Sequence, residues 1–282
     1  MSPLGPHVTR EAKFSGRQRD LSAPLSYADS AAPVAAEGAR SVMPPRPKPK
    51  RVLLKLSGEA LLGNLAFGID DSALTRFAKE IADVARSGTQ IAVVIGGGNL
   101  FRGVAISAKG GDRVTGDHMG MLATVMNALA LEAALSRQGM EARALSAIEM
   151  PSICETYVHR RAAWHMSREV IVVLAGGTGN PFFTTDSGAA LRALELECDA
   201  LLKGTQVDGV YSADPRRNPN AVRYDHVTFQ EAISQDLAVM DTAAFALARD
   251  NGLPIIVFNV HEAGALARIV AGEAVGTLVS AG

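Results

Sequence analysis

From residue 51 onward, short, mostly apolar runs take turns with longer stretches whose apolar residues fall three and four apart. The runs are residues 52–56, 91–95, 170–175, 200–203 and 255–258, apolar throughout except for Lys55 in the first and Lys203 in the fourth, and their length suits strands buried on both faces. Between them, residues 70–86 put Leu74, Phe77, Ala78, Ile81, Val84 and Ala85 on one side of a helix. Asp70 or Asp71 is placed to cap it and Gly88 to stop it. Residues 117–138, 186–198 and 241–251 also have helical character, the first ending at Gly139 and the last at Gly252. Strands alternating with helices predict a largely parallel sheet covered on both faces. In such sheets ligands sit beyond the carboxyl ends of the strands.

Those strand ends are where the glycines gather. KLSG at 55–58, GGGNLFRG at 96–103, GGTGNPFFTTD at 176–186 and KGTQVDGVYSADP at 203–215 each combine glycine with polar or charged side chains. Glycine lets backbone N–H groups approach an anion closely, and a following helix N-terminus adds positive potential. Neither GxxxxGK[ST] nor GxGxxG occurs, so a P-loop and a dinucleotide fingerprint are unsupported. Two Gly-rich loops after different strands, with Lys55 and Arg102 among them, suit two polyanions meeting. Phosphoryl transfer between nucleotides makes that demand, since its catalysis is mostly alignment and neutralisation of charge. An acceptor phosphate has its second pKa near 6 and is largely ionised at neutral pH, so no general base is required.

Composition narrows the classes further. Lys and Arg number 28 against 29 Asp and Glu, leaving no global field to attract nucleic acid or lipid. Two cysteines, Cys154 and Cys198, stand far apart and in no CxxC spacing, which argues for a reducing compartment and against structural zinc. The continuous apolar runs are far shorter than a bilayer span. Residues 1–50 are a different object: eight of the 13 prolines fall there and no period persists. They are expected to be a disordered Pro/Ala/Ser/Arg-rich extension ahead of one domain at 51–282. A dispensable tail is favoured over a transit peptide, and Met43 is an alternative start.

The runs KLSGEA at 55–60, VIGGGNLFRG at 94–103, GDHMGMLAT at 116–124, GTGNPFFTTD at 177–186 and VDGVYSADP at 207–215 closely resemble the bacterial uridylate kinases of the amino-acid-kinase superfamily. The resemblance covers residue 50 to the C-terminus, with the motifs in family order. It implies a three-layer α/β/α sandwich with a mainly parallel central sheet. It also implies Mg²⁺-dependent transfer of the γ-phosphate of ATP to UMP, giving UDP and ADP for pyrimidine nucleotide biosynthesis. A cytoplasmic homohexamer activated by GTP and inhibited by UTP is implied as well, with no nucleic-acid or membrane partner.

Carried over residue by residue, the resemblance gives ATP to Lys55, Leu56, Ser57, Gly58, Gly98, Arg102, Thr205, Tyr211 and Asp214. It gives UMP to Gly97, Asp117, Thr178, Gly179, Asn180, Pro181, Phe182, Phe183, Thr184 and Thr185. GTP would act at Gly63, Asn64, Leu65, Ala66, Phe67 and Gly68, although only Gly63, Phe67 and Gly68 match the family segment. Gln206 stands where lysine is frequent. The catalytic group is Lys55, Arg102, Asp186 and Lys203, the last two added as organiser and charge stabiliser. No direct protein ligand is assigned to the metal, Asp186 being the one candidate.

Each assignment has a plainer reading. Asp117 and Asp186 are both suited to cap helices, Arg102 to pair with a surface acid, and Phe182 and Phe183 to form wall. His118 is expected in the core or an interface, and Met119, Met121 and Met126 in one packed helix face. Trp164 and the basic cluster at 159–161 suggest a surface helix, and Cys154 and Cys198 small buried hydrophobes. The rival functions are a carboxylate kinase of the same superfamily and a non-catalytic nucleotide-binding storage or regulatory protein.

Overall fold

The computed structural model describes residues 46–101 and 112–282. Arg102, assigned to ATP above, lies outside the described residues, as does the extension up to residue 45. Strand β1 (Arg51–Leu56) runs into a 3₁₀ turn (Gly58–Leu61), helix α1 (Asp71–Arg86) and strand β2 (Gln90–Ile95). Helix α2 (Arg113–Arg137), strands β3 (Ala142–Ser146) and β4 (Glu155–Thr156), helix α3 (His159–Ser167) and strand β5 (Ile171–Ala175) follow. Next come helix α4 (Thr185–Glu195), strand β6 (Ala200–Thr205), the hairpin β7 (Val210–Tyr211) and β8 (Arg223–Tyr224), and strand β9 (His226–Thr228). Helices α5 (Phe229–Ser234) and α6 (Thr242–Asp250), strand β10 (Ile255–Asn259), helix α7 (Ala265–Val270) and strand β11 (Thr277–Ser280) complete the chain.

Nine strands form one sheet in the order β4-β3-β5-β2-β1-β6-β10-β11-β9. Its pairings are parallel apart from β10 with β11. Strand alternation sorts the apolar residues to two faces. Leu54 and Leu56 of β1 join a core with Phe77 and Ile81 of α1, Leu131 of α2 and Leu266 of α7. Leu53 joins the opposite core with Met166 of α3, Ala189 and Ala193 of α4, Ala232 of α5 and Ala248 of α6. The expected three-layer α/β/α sandwich is what forms.

Helix boundaries differ from the sequence reading in ways that matter for the site. Helix α2 starts four residues before residue 117, because the Asp112 side chain accepts from Thr115 N at 2.8 Å. Asp117 is therefore no cap. Nor is Asp186, since Thr184 fills the cap position of α4. That helix ends at Glu195 rather than residue 198, with Glu197 turned to a positive φ of 52°. The two- to four-residue strands at the sheet margins, and β3 with its Arg143, carry too few apolar residues to be read from pattern alone.

The packed chain also begins before residue 51. Arg46 is buried, its backbone N–H donates to Gly272 O at 2.9 Å and its guanidinium to Val275 O at 2.8 Å. The prolines at 47 and 49 hold this segment extended, so it reaches the sheet without a periodic apolar pattern. On α2, Met121 is buried while Met119, Leu122 and Met126 are exposed, so the methionines split between two faces. His118 is exposed as well. By length and composition α2 would be apolar enough to cross a membrane, but half of its most apolar stretch is buried inside this fold. Helix α3 carries Trp164 half exposed, as a surface helix should. Cys198 is buried, and desolvation pushes its thiol up to about 12.

Candidate active site

Strands β1 and β6 are parallel neighbours in register, pairing Lys55 with Lys203. Both side chains leave the sheet on the face that carries Leu53 and Leu201, which α4 covers. Asp186, in the first turn of α4, meets them there. Lys55 Nζ lies 2.8 Å from its Oδ1 and Lys203 Nζ 2.7 Å from its Oδ2, each side chain only 13% exposed. Lys203 also donates to Val239 O at 2.6 Å. Burial alone would push the Asp186 carboxyl up, but the two ammonium groups outweigh it and hold the pKa below the ordinary carboxylate value. Burial lowers Lys203, and neighbouring Lys55 adds to that, against the opposing pull of Asp186.

The loops after β1 and β2 touch directly. A Cβ on Gly58 would sit 2.4 Å from Gly96 O and 2.8 Å from Gly98 N, so glycine is the residue that lets them meet. Ser57 caps the 3₁₀ turn by accepting from Glu59 N. Behind the junction, buried Asn99 and Asn127 exchange amide hydrogen bonds of 3.0 and 2.7 Å, and Asn127 donates to Gly96 O at 2.7 Å. Asn99 also donates to Gly68 O at 2.9 Å, tying the segment 63–68 to the same loop. Phe67 and Leu65 of that segment are exposed, and Gly63 and Asn64 border a cavity of about 610 Å³ with Arg76, Gln206 and His261.

A second cavity, of about 240 Å³, opens between α2 and the loop after β5. Gly97, Gly98, Asp117, Thr178, Asn180, Phe183, Thr184 and Thr185 line it, together with Arg113, Thr124, Gly176 and Gly177. Asp117 accepts from Arg113 Nε at 2.9 Å and from Phe182 N at 2.8 Å, joining the helix to the loop. A carboxylate has about four acceptor sites, so both contacts leave room for a ligand hydroxyl. Phe182 holds a positive φ of 71° and is exposed, with the Arg113 guanidinium 5.8 Å from its ring. Gly179 and Pro181 belong to the loop but not to the lining.

Lys55, Lys203, Thr205, Tyr211 and Asp214 do not line this cavity. Thr205 ends β6 with its hydroxyl on Val207 O, Tyr211 donates to Asp208 at 2.5 Å, and Asp214 accepts from Arg216 N in an exposed turn. Of the residues expected to meet ATP, Gly98 lines the cavity beside those expected to meet UMP, while Thr205, Tyr211 and Asp214 lie outside it; Thr185 stands in the cavity wall and Asp186, next in sequence, between the lysines.

Several contributors escaped the sequence reading. Arg113 stands four residues before Asp117 on one helix, a spacing that could have revealed the pair. Asp241 looked like a helix start, and it does cap α6, but it also accepts from Thr184 and from Ser187 Oγ at 3.1 Å. One carboxylate therefore ties the starts of two helices together. Among the described residues there is no cluster of three or more His, Cys, Asp or Glu side chains that could hold a metal ion.

The chain also resembles proteins of known family. Residues 50–259 match the Amino acid kinase family. The chain is 60% identical over 235 residues to the uridylate kinase of Brucella anthropi, covering 83% of this chain and 98% of that one. To the uridylate kinase of Xanthomonas oryzae pv. oryzae it is 56% identical, over 82% and 96%. A crystal structure of UMP kinase from Bacillus anthracis superposes with a TM-score of 0.81 at 40% identity, over 83% and 97% of the two chains.

Proposed function

The chain belongs to the amino acid kinase family, within its uridylate kinases, and on that premise we propose that it transfers the γ-phosphate of ATP to UMP. The observation that carries the reading is the juxtaposition of Thr185, in the wall of the α2–loop cavity, with Asp186, which holds Lys55 and Lys203. A monophosphate in the cavity would have its phosphate at the glycine junction, beside two ammonium groups and the N-terminus of α4. Asp117 is the acceptor for a ribose hydroxyl, and Thr178, Asn180 and Phe183 surround the base. ATP would enter over β6, with Thr205, Tyr211 and Asp214 on its nucleoside and Ser57, Gly58 and Gly98 on its phosphates.

Near neutral pH the acceptor phosphate is already ionised. One of its oxygens attacks the γ-phosphorus, the bond to the bridging oxygen breaks, and ADP leaves with that electron pair. The chain supplies position and charge: Lys55 and Lys203 neutralise the group in flight, and Asp186 keeps them a fixed distance apart. Magnesium would arrive with ATP and supply further neutralisation of phosphate charge there. Asp186 does not suit it as a direct ligand, because both its oxygens already face ammonium groups that oppose a divalent cation.

The finer readings follow from the family. GTP activation would be received at Gly63–Gly68 and passed through Asn99 to the junction loop, with UTP as inhibitor. The exposed stripe Met119, Leu122 and Met126 supports a contact between subunits of a homohexamer, and a cytoplasmic location fits the pyrimidine nucleotide route. A coupled assay with ATP, Mg²⁺ and UMP, CMP, acetylglutamate or aspartate, with and without GTP and UTP, tests the proposal. ADP production with UMP is expected; turnover with a carboxylate substrate and none with UMP would replace it with the rival kinase.

A further inference from the structure

The loop that walls the cavity leaves β5 through Gly176 and Gly177, both at positive φ, and returns at the Thr184 cap of α4. Its root rests on that same helix. A Cβ on Gly188 would lie 3.0 Å from Gly177 Cα, so the backbone of the loop lies directly against the helix there. One turn further along α4, Arg192 reaches back and donates to Gly177 O at 3.2 Å. Its guanidinium is not a surface group: the side chain is only 8% exposed. It donates to Glu195 Oε2 at 2.7 Å and stacks 4.0 Å from the centre of the Tyr157 ring. The Tyr157 hydroxyl closes the set by donating to the same Glu195 oxygen at 2.6 Å. Burial, followed by the contact with Glu195, pushes the Tyr157 hydroxyl well above its ordinary pKa, so it stays a donor.

A buried guanidinium needs a carboxylate and filled donor sites to be tolerated. Glu195 supplies the charge, and one remaining donor is spent on a loop carbonyl in the cavity wall rather than on the helix's own end. Thr124 holds the other side of the root, donating nothing to it but accepting from Gly176 N at 2.8 Å. The loop is thus clamped between α2 and α4, and the α4 side of the clamp is a charged network that reaches to the residue after β4.

We propose that Arg192 is a positioning residue for the acceptor nucleotide: it fixes the 176–185 loop through Gly177 O, with Glu195 and Tyr157 fixing its own geometry. It touches neither substrate. Lysine cannot replace it, because a single ammonium cannot reach Glu195 and Gly177 in the planar fork that guanidinium offers. This inference rests on reading the α2–loop cavity as the UMP site.

The test is steady-state kinetics and calorimetric UMP binding on the full chain, for the native protein and for Arg192→Lys, Arg192→Gln and Tyr157→Phe, with melting temperatures alongside. A charge-assisted hydrogen bond lost from the loop predicts a KM and Kd for UMP raised about tenfold in both Arg192 variants. The KM for ATP should shift about twofold or less, and Tyr157→Phe should give a smaller change in the same direction. Should Arg192→Gln fail to fold, the lysine and Tyr157 variants carry the comparison. Unchanged UMP affinity in a folded Arg192→Lys protein, or equal rises for UMP and ATP, would overturn the positioning role. A native chain that neither binds nor phosphorylates UMP would instead overturn the site assignment on which it rests.

Discussion

Lys55 and Lys203 stand opposite each other on adjacent parallel strands, and their ammonium groups close on the two oxygens of one carboxylate, that of Asp186. Two like charges are held side by side at the carboxyl ends of the central strands with one negative charge between them. The group is left with a net positive charge in a partly buried place, where it attracts phosphate more strongly than in water.

Lys55→Ala removes one of the two cations without touching the core. Loss of a single stabilising group at a transferring centre typically costs about 10² to 10³ in kcat. A loss of that order is expected in the coupled assay, with the circular dichroism spectrum and melting temperature near native. A folded variant with normal turnover would exclude Lys55 from the chemistry.

Asp186→Asn leaves the two lysines facing each other with no counter-charge, and breaking a buried pair on one side destabilises by about 3–5 kcal/mol. The pH dependence has a definite sign. The folded pKa of Asp186 is held below the unfolded value of about 3.9, so its contribution is complete above that value and disappears as pH falls through the folded pKa. Denaturant unfolding between pH 7 and pH 2 should show a shallower acid loss in Asp186→Asn than in the native chain.

Asp117→Asn weakens the acceptor side of the cavity and its bond from Phe182 N. The KM for UMP should rise by more than the KM for ATP. Equal changes would place Asp117 outside the acceptor site.

Gly58→Ala forces a methyl group against Gly96 O. Overpacking of this kind costs about 1–3 kcal/mol, visible as a lower urea midpoint. Because the strain falls where the two Gly-rich loops meet, kcat should fall as well. A variant of native stability would mean the loops separate freely.

The sequence carried the sandwich because its five central strands are mostly apolar runs and helices such as α1 hold one apolar face. Residues 52–56 and 91–95 needed no structure to be recognised as strands. The short strands were illegible: β4, β7 and β8 are two residues long, too few for any apolar period to show. Arg46 shows the same limit, since nothing in a Pro- and Lys-rich stretch signals a guanidinium buried against Val275.

The site divides in a similar way. Residue types, glycine spacing and motif order determined the chemistry: cations, amide donors and no general base, hence transfer between phosphates. Whether Asp186 capped a helix or organised lysines was undecidable along the chain, because both readings need only an acid near a helix start. Register decided it, by placing Lys55 beside Lys203 on strands almost 150 positions apart in sequence order, with α4 laid over them. The contacts of Asp117 with Phe182 and of Arg192 with Gly177 were likewise set by packing of helix against loop. Local sequence specifies what a segment prefers to be; which side chains meet is fixed only when the sheet closes and the helices cover it.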